Sequence, residues 1–85
     1  MIKNNWFVYL VECKDGSFYT GITNDLEKRM NAHINGNGRK YVLAKGFKEI
    51  IAYKKCADKS EACKHEYFVK QLQHNKKAEW FRKTF

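Results

Sequence analysis

The chain places an unbroken run of apolar and aromatic side chains, WFVYLV at residues 6–11, close to its amino end, and no charge interrupts it before Glu12. Strict alternation marks a strand with one wet face, whereas a continuous β-branched and aromatic run marks a strand covered on both faces. SFYTGI at 17–22 reads as a second strand, and the KDG between the two is a hairpin signal. The period then changes. Leu26, Met30 and Ile34 recur at helical spacing within a helix predicted from about Asn24 to Asn35. Asn24 and Glu27 stand at capping-box spacing, and NGNG at 35–38 is the stop. KEIIAYKK at 48–55 predicts a third strand, and Asp58 with Glu61 caps a second helix running to about His74. KKAEWFRKTF at 76–85 closes the chain as a short basic-aromatic helix or tail. The order β-β-α-β-α-α predicts an α+β fold, a three-stranded, mainly antiparallel sheet flanked by helices.

Composition bounds this picture. Eighty-five residues at 44% hydrophobic content suit one compact domain over residues 1–85. No stretch reaches the roughly 18 apolar residues of a membrane span, and the amino end lacks a small-residue cleavage site. The expectation is a soluble, unexported, cytoplasmic protein with no membrane partner. Three cysteines without a C-x-x-C pair, Cys13, Cys56 and Cys63, argue against a disulfide framework and a thiolate zinc site, and read as reduced core thiols. Charge is informative once divided. Residues 1–34 hold four Lys/Arg against four Asp/Glu, while residues 35–85 hold thirteen against five and carry the whole excess of +8. Interleaved with aromatics in GRKYVLAKGFK and NKKAEWFRKTF, that balance suits a polyanion such as nucleic acid. A plain solubility surface is the alternative.

Two oddities sit in FYTGITNDLEKR at 18–29: a glycine inside a strand and an arginine on the apolar side of a helix. A two-residue Asp15-Gly16 loop would put Tyr9 and Tyr19 on opposite sheet faces. A three-residue Lys14-Asp15-Gly16 loop with Gly16 in the left-handed region would pair Tyr9 with Gly21 and Val11 with Tyr19, on one face. In that register Gly21 leaves a hole beside Tyr9 where a ligand can reach the sheet; otherwise it merely ends the strand. On the helix, His33 lies about 20° and Arg29 about 60° from Leu26, so both border the buried face. In the second helix Ala62 and Val69 mark the inner side, with Glu66 about 40° from Ala62. An inward carboxylate requires a partner: a metal, or an ion pair with Arg29 or a lysine.

VYL at 8–10, YTG at 19–21, Arg29 in LEKRMNAH and Glu66 in SEACKHEYFVKQL resemble the GIY-YIG nuclease domain, in particular its small, single-domain bacterial members. The resemblance spans roughly residues 6–73. Phe7 stands where the first motif has glycine, and Thr20 replaces the isoleucine of the second. The ordered set of tyrosine, tyrosine-x-glycine, helical arginine and helical glutamate is the specific signal.

The resemblance implies a divalent-metal-dependent phosphodiesterase acting on nucleic acid, DNA more than RNA, in repair or recombination. Glu66 would hold one Mg²⁺ or Mn²⁺ through a hard oxygen. Arg29 would meet the phosphate with its planar fork. Tyr9 or Tyr19 would take the proton from the attacking water, given cations that lower a phenol pKa near 10. His33 would orient the water, bond a phosphate or relay a proton. Gly21, Arg39, Lys40, Tyr41 and Lys70 complete the expected substrate contacts. The alternative is a noncatalytic nucleic-acid-binding module that keeps the fold. With no targeting domain in view, specificity would be low or borrowed from a partner protein.

Overall fold

Trp6–Cys13 forms β1, the middle strand of a sheet ordered β2-β1-β3, with β2 (Phe18–Thr23) and β3 (Phe47–Cys56) both antiparallel to it. The computed structural model describes residues 5–36 and 38–84. Val8, Tyr9, Leu10 and Val11 are all fully buried, which is why the run tolerates no charge. Val8 and Leu10 join Cys56, Ala62, Val69 and Phe81 in one core. Ala62 and Val69 come from α3 (Lys59–Lys70), and Phe81 from α4 (His74–Thr84). Tyr9, Val11 and Cys13 form a second core on the other face with Val42. Leu26 and Met30 of α1 (Leu26–Ile34) pack on that core, and Val42 belongs to α2 (Lys40–Lys45). The expected α+β sheet is therefore sandwiched between two pairs of helices.

The hairpin takes the three-residue loop. Cys13 N–H donates to the Ser17 carbonyl at 2.8 Å, and Gly16, at φ 87°, donates to the Cys13 carbonyl at 2.9 Å. A left-handed residue next to a bulge re-aims the second strand, and glycine adopts that conformation without strain. Tyr9 accordingly pairs with Gly21 and Val11 with Tyr19, so both phenols share one face. β1 and β3 slip register between Leu10 and Val11 and again between Glu12 and Cys13.

Several expectations need correction. Asp25, not Asn24, caps α1, accepting from Lys28 N–H at 3.1 Å, while Thr23 Oγ1 accepts from Asp25 N–H at 3.0 Å. Ile34 is 63% exposed, and His33 takes the inward position instead. α2 falls in a segment that read only as a basic-aromatic patch; six residues give too little periodicity to show a helix, yet Val42 fills the second core. α3 stops at Lys70 rather than near His74, because Lys77 Nζ donates to the Val69 and Lys70 carbonyls at 3.0 and 3.2 Å and satisfies its free end. The closing segment is a helix anchored by Phe81. Cys13 and Cys56 are buried as expected, but Cys63 is exposed. Among the described residues no helix is long and apolar enough to cross a membrane.

Candidate active site

The second core carries the chemistry. β1 and β2 deliver Tyr9 and Tyr19, and α1 lays Arg29 and His33 over them. Tyr9 is fully buried, and its Oη lies 3.2 Å from His33 Nε2, a bond that links strand to helix. The Tyr19 ring sits 6.2 Å from Tyr9 and 6.1 Å from His33, centroid to centroid. Tyr41 of α2 stacks on Tyr19 at 5.8 Å, and Phe47 lies parallel to His33 at 6.0 Å. His33 is thus held by three rings, those of Tyr9, Tyr19 and Phe47, the first also through its hydroxyl, which fixes its orientation.

Gly21 serves this cluster differently from the expectation. A Cβ there would lie 2.5 Å from Tyr9 Oη, 2.7 Å from its Cζ and 2.9 Å from Tyr19 Cε2. The space over Gly21 is filled by the two phenols, not left open to a ligand. Gly38 plays the same part for His33: a Cβ there would run into Nδ1 and the imidazole ring.

Burial, reinforced by Tyr19, pushes the Tyr9 phenol up to about 12 against the lowering pull of Arg29 and Arg39. The cations do not win, so the condition set for a tyrosine base, a phenol pKa lowered by nearby cations, is not met at Tyr9. Burial first, then Arg29 and Arg39, pulls His33 below its ordinary value, so the imidazole is neutral at pH 7. Two polar atoms are buried with no hydrogen-bond partner among the described residues: Arg29 Nη1 and His33 Nδ1. Leaving such groups unmet costs about 1–3 kcal/mol each, and more when charged. Arg29 also borders two adjoining cavities. One, of about 180 Å³, is lined by Arg29, Ala32, Gly38 and Arg39. The other, of about 210 Å³, runs along Thr23, Asn24, Asp25, Lys28, Arg29 and Ala32. At about 30 Å³ per water, the first has room for an anion the size of a phosphate group. Neither Arg39 nor Lys40 has a carboxylate partner among the described residues, and both are exposed.

Glu66 comes from a different element. It sits on α3, which packs across β1 and β2, and its ion-pair partner among the described residues is Lys70, at 3.4 Å. The side chain is 24% exposed, so of the partners expected for an inward carboxylate the lysine is the one present. That places Lys70 beside Glu66. By helical spacing Glu66 is about 100° round α3 from His65, which contacts Trp80 of α4. A single hard carboxylate, reachable by water and held by an exposed lysine that can swing away, fits an ion of the Mg²⁺ class, which keeps most of its water shell.

A family model described as the GIY-YIG catalytic domain matches residues 5–79. The chain belongs to the GIY-YIG family. It is 44% identical over 77 residues to the UPF0213 protein YazA of Bacillus subtilis, covering 91% of this chain and 78% of that one. A UPF0213 protein of Clostridium perfringens is 45% identical over 71 residues, 84% and 76% of the two chains. The solution structure of UPF0213 protein BH0048 from Bacillus halodurans matches at 43% identity and a TM-score of 0.55, covering 89% of this chain and 81% of that one. The solution structure of EF2693 from E. faecalis matches at 36% identity and a TM-score of 0.67, covering 96% and 88%. GIY-YIG domains define a nuclease superfamily whose members typically use a divalent metal. Within this GIY-YIG chain, sequence reading missed Gly38 and Phe47. The first left a trace: Gly36, at φ 79°, already ends α1, so a second glycine two residues on was surplus to that task.

Proposed function

We propose that this chain is a metal-dependent nuclease that hydrolyses phosphodiester bonds of nucleic acid, DNA in preference to RNA. The observation that carries the reading is Arg29: a guanidinium with one nitrogen buried and unmatched, on a residue that lines an anion-sized cavity together with Arg39. A protein accepts that cost where a ligand anion completes the site. A scissile phosphate seated there meets the Arg29 fork, with Arg39 beside it supplying further positive charge.

Tyr9 Oη handles the proton. A free phenolate is out of reach at a pKa of about 12, so the step is a relay. Oη is sealed in the free fold, so the seated substrate must bring the attacking water to it; as that water gives its proton to Oη, the phenol passes its own to His33 Nε2, 3.2 Å away. The acceptor nitrogen must be unprotonated, which the lowered His33 pKa ensures. Tyr19 and Tyr41, stacked and partly exposed, offer an aromatic platform to a base or sugar next to the phosphate. Lys40 and Lys70 add charge for the flanking backbone. Glu66 would hold Mg²⁺ or Mn²⁺, which supplies Lewis-acid stabilisation of the phosphate oxygens and the leaving group.

Labelled single- and double-stranded DNA and RNA, with and without Mg²⁺ or Mn²⁺, test the reading. Glu66→Ala should abolish metal-dependent cleavage and leave metal-free binding equal or tighter, since a negative charge leaves a phosphate site. A parent protein that binds these substrates yet cuts none of them would identify the noncatalytic binding module instead.

A further inference from the structure

On the other face of the sheet a second set of donors converges. Cys56 ends β3, Glu61 opens α3, and His65 follows Glu61 by one turn on the same side of that helix. A thiol sulfur, a carboxylate oxygen and an imidazole nitrogen from these three residues all lie within 4.8 Å of one another. Tetrahedral zinc bonds of about 2.0–2.3 Å set donors roughly 3.4–3.6 Å apart, a closure within reach of side-chain torsions. We propose that Cys56, Glu61 and His65 form a binding site for a borderline-soft divalent cation of the zinc class, distinct from the nuclease site.

Each donor is already oriented by its surroundings, the Cys56 thiol donating to the Lys54 carbonyl at 3.7 Å. Glu61 Oε1 accepts from Ala57 N–H at 2.7 Å, which folds the carboxylate back over the start of α3. His65 leans on the Trp80 indole at 5.1 Å between centroids. Cys56 is buried, whereas Glu61 and His65 are half-exposed, so an ion enters from the helix side and reaches the sulfur last. Sulfur and nitrogen exclude Mg²⁺ and select zinc, cobalt or nickel. Binding converts the Cys56 thiol to a thiolate, its proton leaving to solvent, and water fills the fourth position. The sequence hid the set because no C-x-x-C pair announces it; the spacing C-x₄-E-x₃-H is read only once β3 and α3 are seen to meet.

Titration of the reduced, metal-free full chain with Co²⁺ tests the site. The expected result is a thiolate-to-cobalt charge-transfer band that saturates at one equivalent, is quenched by Zn²⁺ and is untouched by excess Mg²⁺. Cys56→Ser should remove the band, and His65→Ala, which spares the buried core, should weaken binding roughly tenfold or more. Cys63→Ser and Glu66→Gln should leave the titration unchanged, which separates this site from the nuclease metal. No band in the parent, a band that survives Cys56→Ser, or equal affinity in His65→Ala would overturn the proposal.

Discussion

Replacing Gly21 with alanine adds one methyl group where the structure has none to spare. The new Cβ would stand 2.5 Å from Tyr9 Oη against an ordinary contact of at least 3.4 Å, so the phenol must retreat by roughly 0.9 Å. It has nowhere to go: Tyr9 is fully buried, Tyr19 blocks the neighbouring direction, and His33 holds the hydroxyl. Overpacking of this kind costs about 1–3 kcal/mol, less several tenths recovered because alanine suits a strand better than glycine. In a chain of 85 residues each kcal/mol lowers Tm by about 4–8 °C. The second consequence is chemical. A reacting group displaced by about 1 Å can lose on the order of 10²-fold in rate. Thermal and urea denaturation of Gly21→Ala, with cleavage measured well below its Tm, read the two effects separately. An alanine variant as stable as the parent and fully active would show that Tyr9 does not depend on the missing side chain, and would refute the packing argument.

Two further outcomes follow from the same cluster. His33 is held below its ordinary value, so below about pH 6.5 the unfolded chain takes up its proton before the folded one does, and stability falls as the pH drops further. His33→Gln should flatten that acid limb in denaturation curves; an unchanged slope would count against the buried neutral imidazole. For nucleic-acid binding, log affinity should fall linearly with log salt, and Arg39→Ala with Lys40→Ala should reduce the slope by about 0.7–0.9 per lost phosphate contact. Equal slopes would mean that this corner of the molecule does not meet the phosphate backbone.

Strand order and register were legible because they rest on local chemistry: the continuous run of β1, and a KDG loop whose glycine adopts φ 87°. That register alone put Tyr9, Gly21 and Tyr19 together. Arg29 and His33 were found by helical geometry even though the stripe they border was misjudged. Ile34 looked like core on spacing, but it lies in solvent and His33 is buried in its place. What the sequence could not show is competition among tertiary neighbours. The sign of the Tyr9 shift depends on burial outweighing two arginines, and no count of nearby cations reveals that balance. The open space assigned to Gly21 is filled by the phenols of Tyr9 on the next strand and Tyr19 on its own. Glu66 was read as an inward carboxylate whose partner would be a metal, Arg29 or a lysine, and in the fold it pairs with Lys70, one turn away on its own helix.

The central claim is that Arg29 stabilises the transition state of phosphodiester hydrolysis. Single-turnover cleavage of a labelled DNA duplex in Mn²⁺ by the parent and by Arg29→Ala tests it most directly. Loss of one charged transition-state donor should slow the chemical step by about 10²–10³-fold, or 2.7–4 kcal/mol, with the fold intact by circular dichroism. Cleavage by Arg29→Ala at the parental rate, or no cleavage by the parent, would contradict the account.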